Sequence, residues 1–306
     1  MKILVRTSIS IICLSFIWSI LSIPSTAFAE KPIHVAVSIL PQKYFVKKIG
    51  GDRVHVSAMV LPGANPATYE PKPRQMVNLA KSKIYFATGV PFEENWLPKF
   101  SKANPKMKIV HTQTGITKIP MKAGRHRHHG AEHGHEVIST EAKDPHIWLS
   151  PPLVMVQAKN ILDGLIKADP ANRKLYETNY KAFIEELKDL DLKLKTVFQT
   201  TGINARFMVY HPSWGYFANT YGLEQIPIEL EGKKPSPRQL LELIKEARKD
   251  GIKVIFVQPQ FSEKSAETIA SAIGGKVVFT DPLAEDWKNN LYQVAEKFKS
   301  AFTTGP

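Results

Sequence analysis

Apolar positions along this chain repeat with two periods that alternate. In the first third of the chain, short runs rich in β-branched and aromatic residues at 33–37, 54–60, 84–88 and 107–111 predict strands. Amphipathic stretches at 41–49, 73–81 and 92–100 predict the helices between them. The same alternation returns in the last third, with strands at 207–210, 254–257 and 276–279 and helices at 213–221, 237–249, 263–273 and 287–302. Ser236 followed by Gln239 reads as a capping box at one of those helix starts. Between the two regions Val154, Ala158, Ile161 and Leu165 fall on one helical face, and Asp169-Pro170 interrupts. A second stripe follows: Tyr176, Tyr180, Phe183, Leu187, Leu190, Leu194 and Val197, in steps of four and three. A helix over 171–198 would span roughly 42 Å at ~1.5 Å per residue, enough to cross two lobes.

Strand-helix alternation implies mostly parallel sheets covered on both faces. The predicted fold is therefore α/β, with two lobes, each a mostly parallel sheet flanked by helices, bridged by one long rigid helix. Its expected divisions are an N-terminal lobe at 30–150, linking helices at 151–203 and a C-terminal lobe at 204–306.

Two segments stand outside this pattern. Lys2 and Arg6, an apolar run over 9–23 and then Ala27-Phe28-Ala29 have the three parts of a secretory signal peptide, which predicts cleavage after Ala29 and a periplasmic protein. The segment 122–143 has no apolar period and carries His126, His128, His129, His133 and His135 among Gly, Arg and Glu, so a flexible insertion with weak metal affinity is expected. Within it His129-Gly130-Ala131-Glu132-His133 matches a metalloprotease pattern, but that chemistry needs a packed helix, which this composition opposes.

The only cysteine is Cys13, inside the apolar run, so the mature chain has neither disulfides nor thiolate ligands, and soft-donor chemistry falls to histidine. Net charge is +13, or +11 once Lys2 and Arg6 leave with the leader. The lysines are spread over helix surfaces with no basic run interleaved with aromatics, which argues against nucleic acid.

Three segments have the look of a metal site: Asp144-Pro145-His146-Ile147-Trp148, Tyr210-His211-Pro212-Ser213-Trp214-Gly215-Tyr216-Phe217 and Thr280-Asp281-Pro282-Leu283. Imidazole and carboxylate suit Zn²⁺ where no thiolate is available, and His211 and Asp281 follow predicted strand ends, where open α/β sheets bind ligands. From the residues alone, a helix-capping His146 and a buried hydrogen-bonded His211 are equally good explanations, and for Asp281 an Asp-Pro helix start is the stronger one.

In order along the mature chain, these blocks resemble the solute-binding proteins of zinc and manganese ABC transporters. The resemblance runs from Pro62-Gly63 and Tyr69-Glu70-Pro71 through Gly89, Glu93 and Trp96 to the Asp144–Leu149 block. It continues through His211, Trp214, Tyr216-Phe217, Tyr221-Gly222-Leu223 and Gln258-Pro259-Gln260-Phe261 to Asp281-Pro282-Leu283. It implies two lobes joined by a long helix and a metal held in the cleft by His146, His211 and Asp281. His211 and the histidine-rich segment imply Zn²⁺ rather than Mn²⁺. It also implies a monomer that delivers its ion to an ABC permease in the inner membrane, and not an enzyme. One position departs from the family pattern: Ala67 stands where a ligand histidine is usual, so the fourth position is left to water, a loop histidine or Glu70. A periplasmic zinc-dependent hydrolase with an open coordination position, and a manganese- or iron-binding adhesin-like relative, are the alternatives.

Overall fold

The computed structural model describes residues 31–121, 142–199, 205–229 and 232–303. The predicted leader at 1–29 and the histidine-rich segment with His126, His128, His129, His133 and His135 lie outside these residues. No helix among the described residues is long and apolar enough to cross a membrane.

The first lobe is built from β1 (Ile33–Val37), α1 (Leu40–Gly50), β2 (Val54–Ala58), α2 (Pro73–Leu79), β3 (Ile84–Ala87), α3 (Phe92–Ala103) and β4 (Lys108–His111). Two helices follow, α4 (Pro151–Ala168) and the 26-residue α5 (Arg173–Phe198). The second lobe holds β5 (Ala205–Val209), α6 (Gly215–Tyr221), β6 (Leu223–Pro227), α7 (Pro237–Lys249), β7 (Val254–Val257), α8 (Lys264–Ala272), β8 (Lys276–Phe279) and α9 (Trp287–Thr303). Each lobe contains a four-stranded parallel sheet, in the orders β2-β1-β3-β4 and β6-β5-β7-β8. The α/β class, the two sheets and the long helix are as expected from the sequence.

The inner strands β3 and β7 are continuous apolar runs because helices cover both their faces. All four residues of β3 and of β7 are buried, whereas the edge strands β4 and β8 are only partly covered. Strand β6 was not anticipated, since Glu224, Gln225 and a terminal Pro227 mask it; proline at a strand end is tolerated on a sheet edge. At α7 the capping box forms: Ser236 Oγ accepts from the Gln239 amide, and Gln239 Oε1 accepts from the Ser236 amide at 2.8 Å. Gly222 ends α6 with φ +69°, a left-handed turn that favours glycine.

One apolar core runs through both lobes. Helix α5 packs on α1, α4 and α9, and its stripe residues Tyr176, Phe183, Leu187, Leu190 and Leu194 are buried. Phe45 of α1, Phe183 of α5 and Trp287 of α9 meet edge to face or tilted, with centroids 4.9 to 6.0 Å apart. Since a shared close-packed core resists shear, the lobes are held in a fixed relation rather than hinged about a flexible strap. A smaller cluster around Met208, Ile255 and Ile269 fills the other face of the second sheet.

Candidate metal centre

Four residues of the second lobe stand just beyond the carboxyl ends of its four strands: His211 after β5, Glu229 after β6, Gln258 after β7 and Asp281 after β8. Parallel strands deliver their following loops to one end of the sheet, and the β5/β7 junction is where the chain's winding reverses, the usual ligand position in such sheets. Gln258 pins His211 there. Its Oε1 accepts from the His211 amide at 3.1 Å, and its Nε2 donates to the His211 carbonyl at 2.7 Å and to Ser213 Oγ at 3.0 Å.

The His211 ring is fixed from two further sides. Its Nδ1 lies 2.5 Å from Glu229 Oε1, and its face stacks on Phe261 at 4.7 Å. Glu229 is 3% exposed. A carboxylate oxygen accepts, so in the neutral form of the ring this contact favours the proton on Nδ1 and the lone pair on Nε2.

His146 approaches from the segment before α4, with the same arrangement. Its amide donates to Asp144 Oδ1 at 2.8 Å, and its Nδ1 lies 2.7 Å from that oxygen. Burial holds the imidazole below the ordinary histidine pKa, while the Asp144 carboxylate pulls the other way. The neutral ring is therefore the resting form near pH 7. The His146 and His211 rings meet edge to face with centroids 5.1 Å apart. Among the described residues neither Nε2 has a protein hydrogen-bond partner.

The second lobe also anchors the His146 segment. Trp148 Nε1 donates to the Pro282 carbonyl and Trp287 Nε1 to the Trp148 carbonyl, each at 2.7 Å. Tyr216 of α6 donates to the Asp144 carbonyl at 3.0 Å and accepts from the Ile119 amide at 3.1 Å. Gly215 completes the fit: a Cβ there would sit 2.7 Å from Asp144 Oδ2, so only glycine lets α6 come this close.

The other expected residues are placed differently. Asp281 Oδ1 accepts from the Leu283 amide at 2.9 Å and from Gln260 Nε2 at 3.2 Å, so it closes its own turn rather than starting α9. Glu70 is exposed, and Ala67, also exposed, donates its amide to Asn65 Oδ1 at 2.8 Å. The structure thus brings His146 and His211 together. Among the described residues no group of three or more His, Cys, Asp or Glu side chains is gathered tightly enough to hold a metal ion, so neither Asp281 nor Glu70 joins the pair in such a group.

Similarity to known proteins supplies the context. The family described as zinc-uptake complex component A, periplasmic, matches residues 35–301. The chain belongs to this family. Its relatives include the high-affinity zinc uptake system protein ZnuA of Bacillus subtilis (strain 168), 32% identical over 249 residues, which are 80% of this chain and 76% of the relative. The zinc-binding protein AdcA of Streptococcus pyogenes serotype M3 is 30% identical over 295 residues, 92% of this chain but 56% of the relative, so the chain spans about half the length of AdcA. A crystal structure of a ZnuA deletion mutant with zinc bound superposes with a TM-score of 0.81 at 43% identity, covering 90% of this chain and 100% of that one.

For a member of the zinc-uptake component A family, the residues that sequence reasoning overlooked are those behind the imidazoles. Asp144 and the Gln258–Phe261 block lay inside quoted motifs without a role. Glu229 had no signal, since it follows the strand that was not foreseen.

Proposed function

We propose that the chain is an exported, extracytoplasmic binding protein that captures Zn²⁺ between its lobes and delivers it to an ABC permease in the membrane. The observation that carries this reading is the pair His146 and His211, each with Nδ1 held by a buried carboxylate and Nε2 left unengaged. A carboxylate behind a metal-bound imidazole fixes its tautomer and raises its basicity. In this reading His146 and His211 are the first two ligands. Asp281, tied through Gln260 to the Gln258–Phe261 loop that also holds His211, is the third after a small shift of its turn. Glu70, a histidine of the 122–143 segment or water supplies the fourth.

The shared core and the Trp148–Pro282 and Trp287–Trp148 hydrogen bonds favour capture by local loop adjustment over a wide domain closure. Two imidazole donors favour Zn²⁺ over Mn²⁺, which prefers oxygen donors. Relatives named for zinc uptake and zinc binding favour carriage over turnover, and the histidine-rich segment is read as an auxiliary collector of ions.

Calorimetric titration of residues 30–306 with Zn²⁺ tests the reading. One tight site and weaker additional ones are expected. Deleting residues 122–143 should remove only the weak sites, and His146→Ala or His211→Ala should remove most of the tight affinity. Loss of the tight site with the deleted segment would reject the cleft assignment.

A further inference from the structure

A second pair of imidazoles stands at the amino ends of two strands of the first sheet. His34 is the second residue of β1 and His55 the second of β2, and the parallel register pairs them directly. Directly paired residues on neighbouring strands share a face, and here the next pair along, Val35 and Val56, points the other way and is buried. Both histidines are exposed. Their rings lie edge to face with centroids 5.1 Å apart, and neither ring's nitrogens have a protein hydrogen-bond partner among the described residues. The cleft residues of the second lobe follow the carboxyl ends of their strands, whereas this pair lies at the amino ends of its own.

We propose that His34 and His55 form a surface site that chelates a divalent transition-metal ion through both imidazoles. Neighbouring strands run about 4.7–4.9 Å apart, and two metal–nitrogen bonds of about 2.0–2.1 Å bridge up to about 4 Å of nitrogen separation. Two exposed imidazoles free to turn about their side-chain bonds reach that separation without moving the backbone. Imidazole-only donation selects Cu²⁺ ahead of Ni²⁺ and Zn²⁺, and gives nothing to Mg²⁺ or Ca²⁺, which need oxygen ligands. Lys81, Lys83 and Lys106 surround an open basin of about 350 Å³ that His34 also lines. Their charge weakens the site for any cation, so it sits below the cleft in affinity and holds only ions with strong metal–imidazole bonds. This site does not depend on the cleft reading.

The test follows each imidazole separately, so that ions taken up elsewhere do not obscure it. Mature chain of residues 30–306, with ¹⁵N-labelled histidine at pH 7.5, is titrated with Cu²⁺, and loss of each ring signal by paramagnetic broadening is recorded. His34→Gln and His55→Gln assign the two signals and act as the test variants, both at exposed strand positions. The expected result is that His34 and His55 fade together, and that His34→Gln raises the copper needed to broaden His55 about tenfold or more, because the second ligand no longer binds intramolecularly. The reciprocal variant should do the same to His34, and Mg²⁺ should shift neither ring. If either histidine responds to the same copper concentration whether or not its neighbour is present, they are independent surface residues and the chelate site is rejected.

Discussion

Glu229 Oε1 lies 2.5 Å from His211 Nδ1, which makes a buried carboxylate after an edge strand the partner of an imidazole after the neighbouring inner strand. Asp144 repeats the relationship with His146 at 2.7 Å. Two carboxylate–imidazole pairs, one from each side of the long helix in sequence, bring their rings together with centroids 5.1 Å apart.

These carboxylates should matter to metal affinity without touching the ion. Glu229→Gln and Asp144→Asn keep shape but lose the obligatory acceptor, so either ring can adopt the wrong tautomer. Each is expected to weaken Zn²⁺ binding about 10- to 100-fold. Competition with a chromophoric chelator measures this, with circular dichroism checking that the fold is kept; unchanged affinity in both variants would remove the carboxylates from the account.

Gly215→Ala should act through the same chain of contacts. The added methyl meets Asp144 Oδ2 at 2.7 Å and Gln225 Nε2 at 3.1 Å, and neither is a loose surface end. Overpacking of this kind costs about 1–3 kcal/mol, and Asp144 cannot yield without dragging His146. A lower melting temperature together with weaker Zn²⁺ binding is expected. A loss of stability with full affinity would mean that α6, and not Asp144, gives way.

The pH dependence follows from burial of His146. Its folded-state pKa lies below the ordinary value, so as pH falls the unfolded chain takes up the proton first. This contribution to stability is present above about pH 6.5, the ordinary histidine value, and is lost as pH falls through the folded-state pKa. The metal-free protein should therefore melt lower at pH 5.5 than at pH 7.5, and His146→Gln should flatten that difference. Zn²⁺ binding should weaken as pH falls to and below the folded-state pKa, because protonated imidazole cannot ligate. An identical pH profile of melting in His146→Gln would contradict the assignment.

Much of this was readable before any coordinates. Inner strands such as Ile84–Ala87 and Val254–Val257 are unbroken apolar runs, and the α5 stripe keeps a helical period over its whole length, so the α/β class and the bridging helix follow from pattern alone. Strand β6 was hidden because an edge strand with Glu224, Gln225 and Pro227 carries too little apolar signal, and Glu229 was hidden with it. Asp144 sat inside a recognised block, but its bond to His146 is a matter of local loop geometry that spacing does not encode. The pairing of His34 with His55 depends on strand register, which neither sequence segment specifies alone.

Ala67 is the departure from the family pattern with the clearest consequence. If a ligand position is open to water, Ala67→His should tighten Zn²⁺ binding, because a protein imidazole replaces that water. In the chain lacking residues 122–143, where loop histidines cannot compensate, a gain of about tenfold or more is expected by the same substitution of ligand. No gain, with lost affinity in Glu70→Gln, would instead make Glu70 the fourth ligand.

The central claim is tested most directly by a crystal structure of the zinc-loaded mature protein with anomalous scattering recorded at the zinc edge. The account predicts one strong peak between the lobes, bonded to Nε2 of both His146 and His211 at about 2.0–2.1 Å, with Asp281 turned to join them and the Glu229 and Asp144 contacts retained. A fully occupied zinc elsewhere, with both of those nitrogens still unengaged, would contradict it.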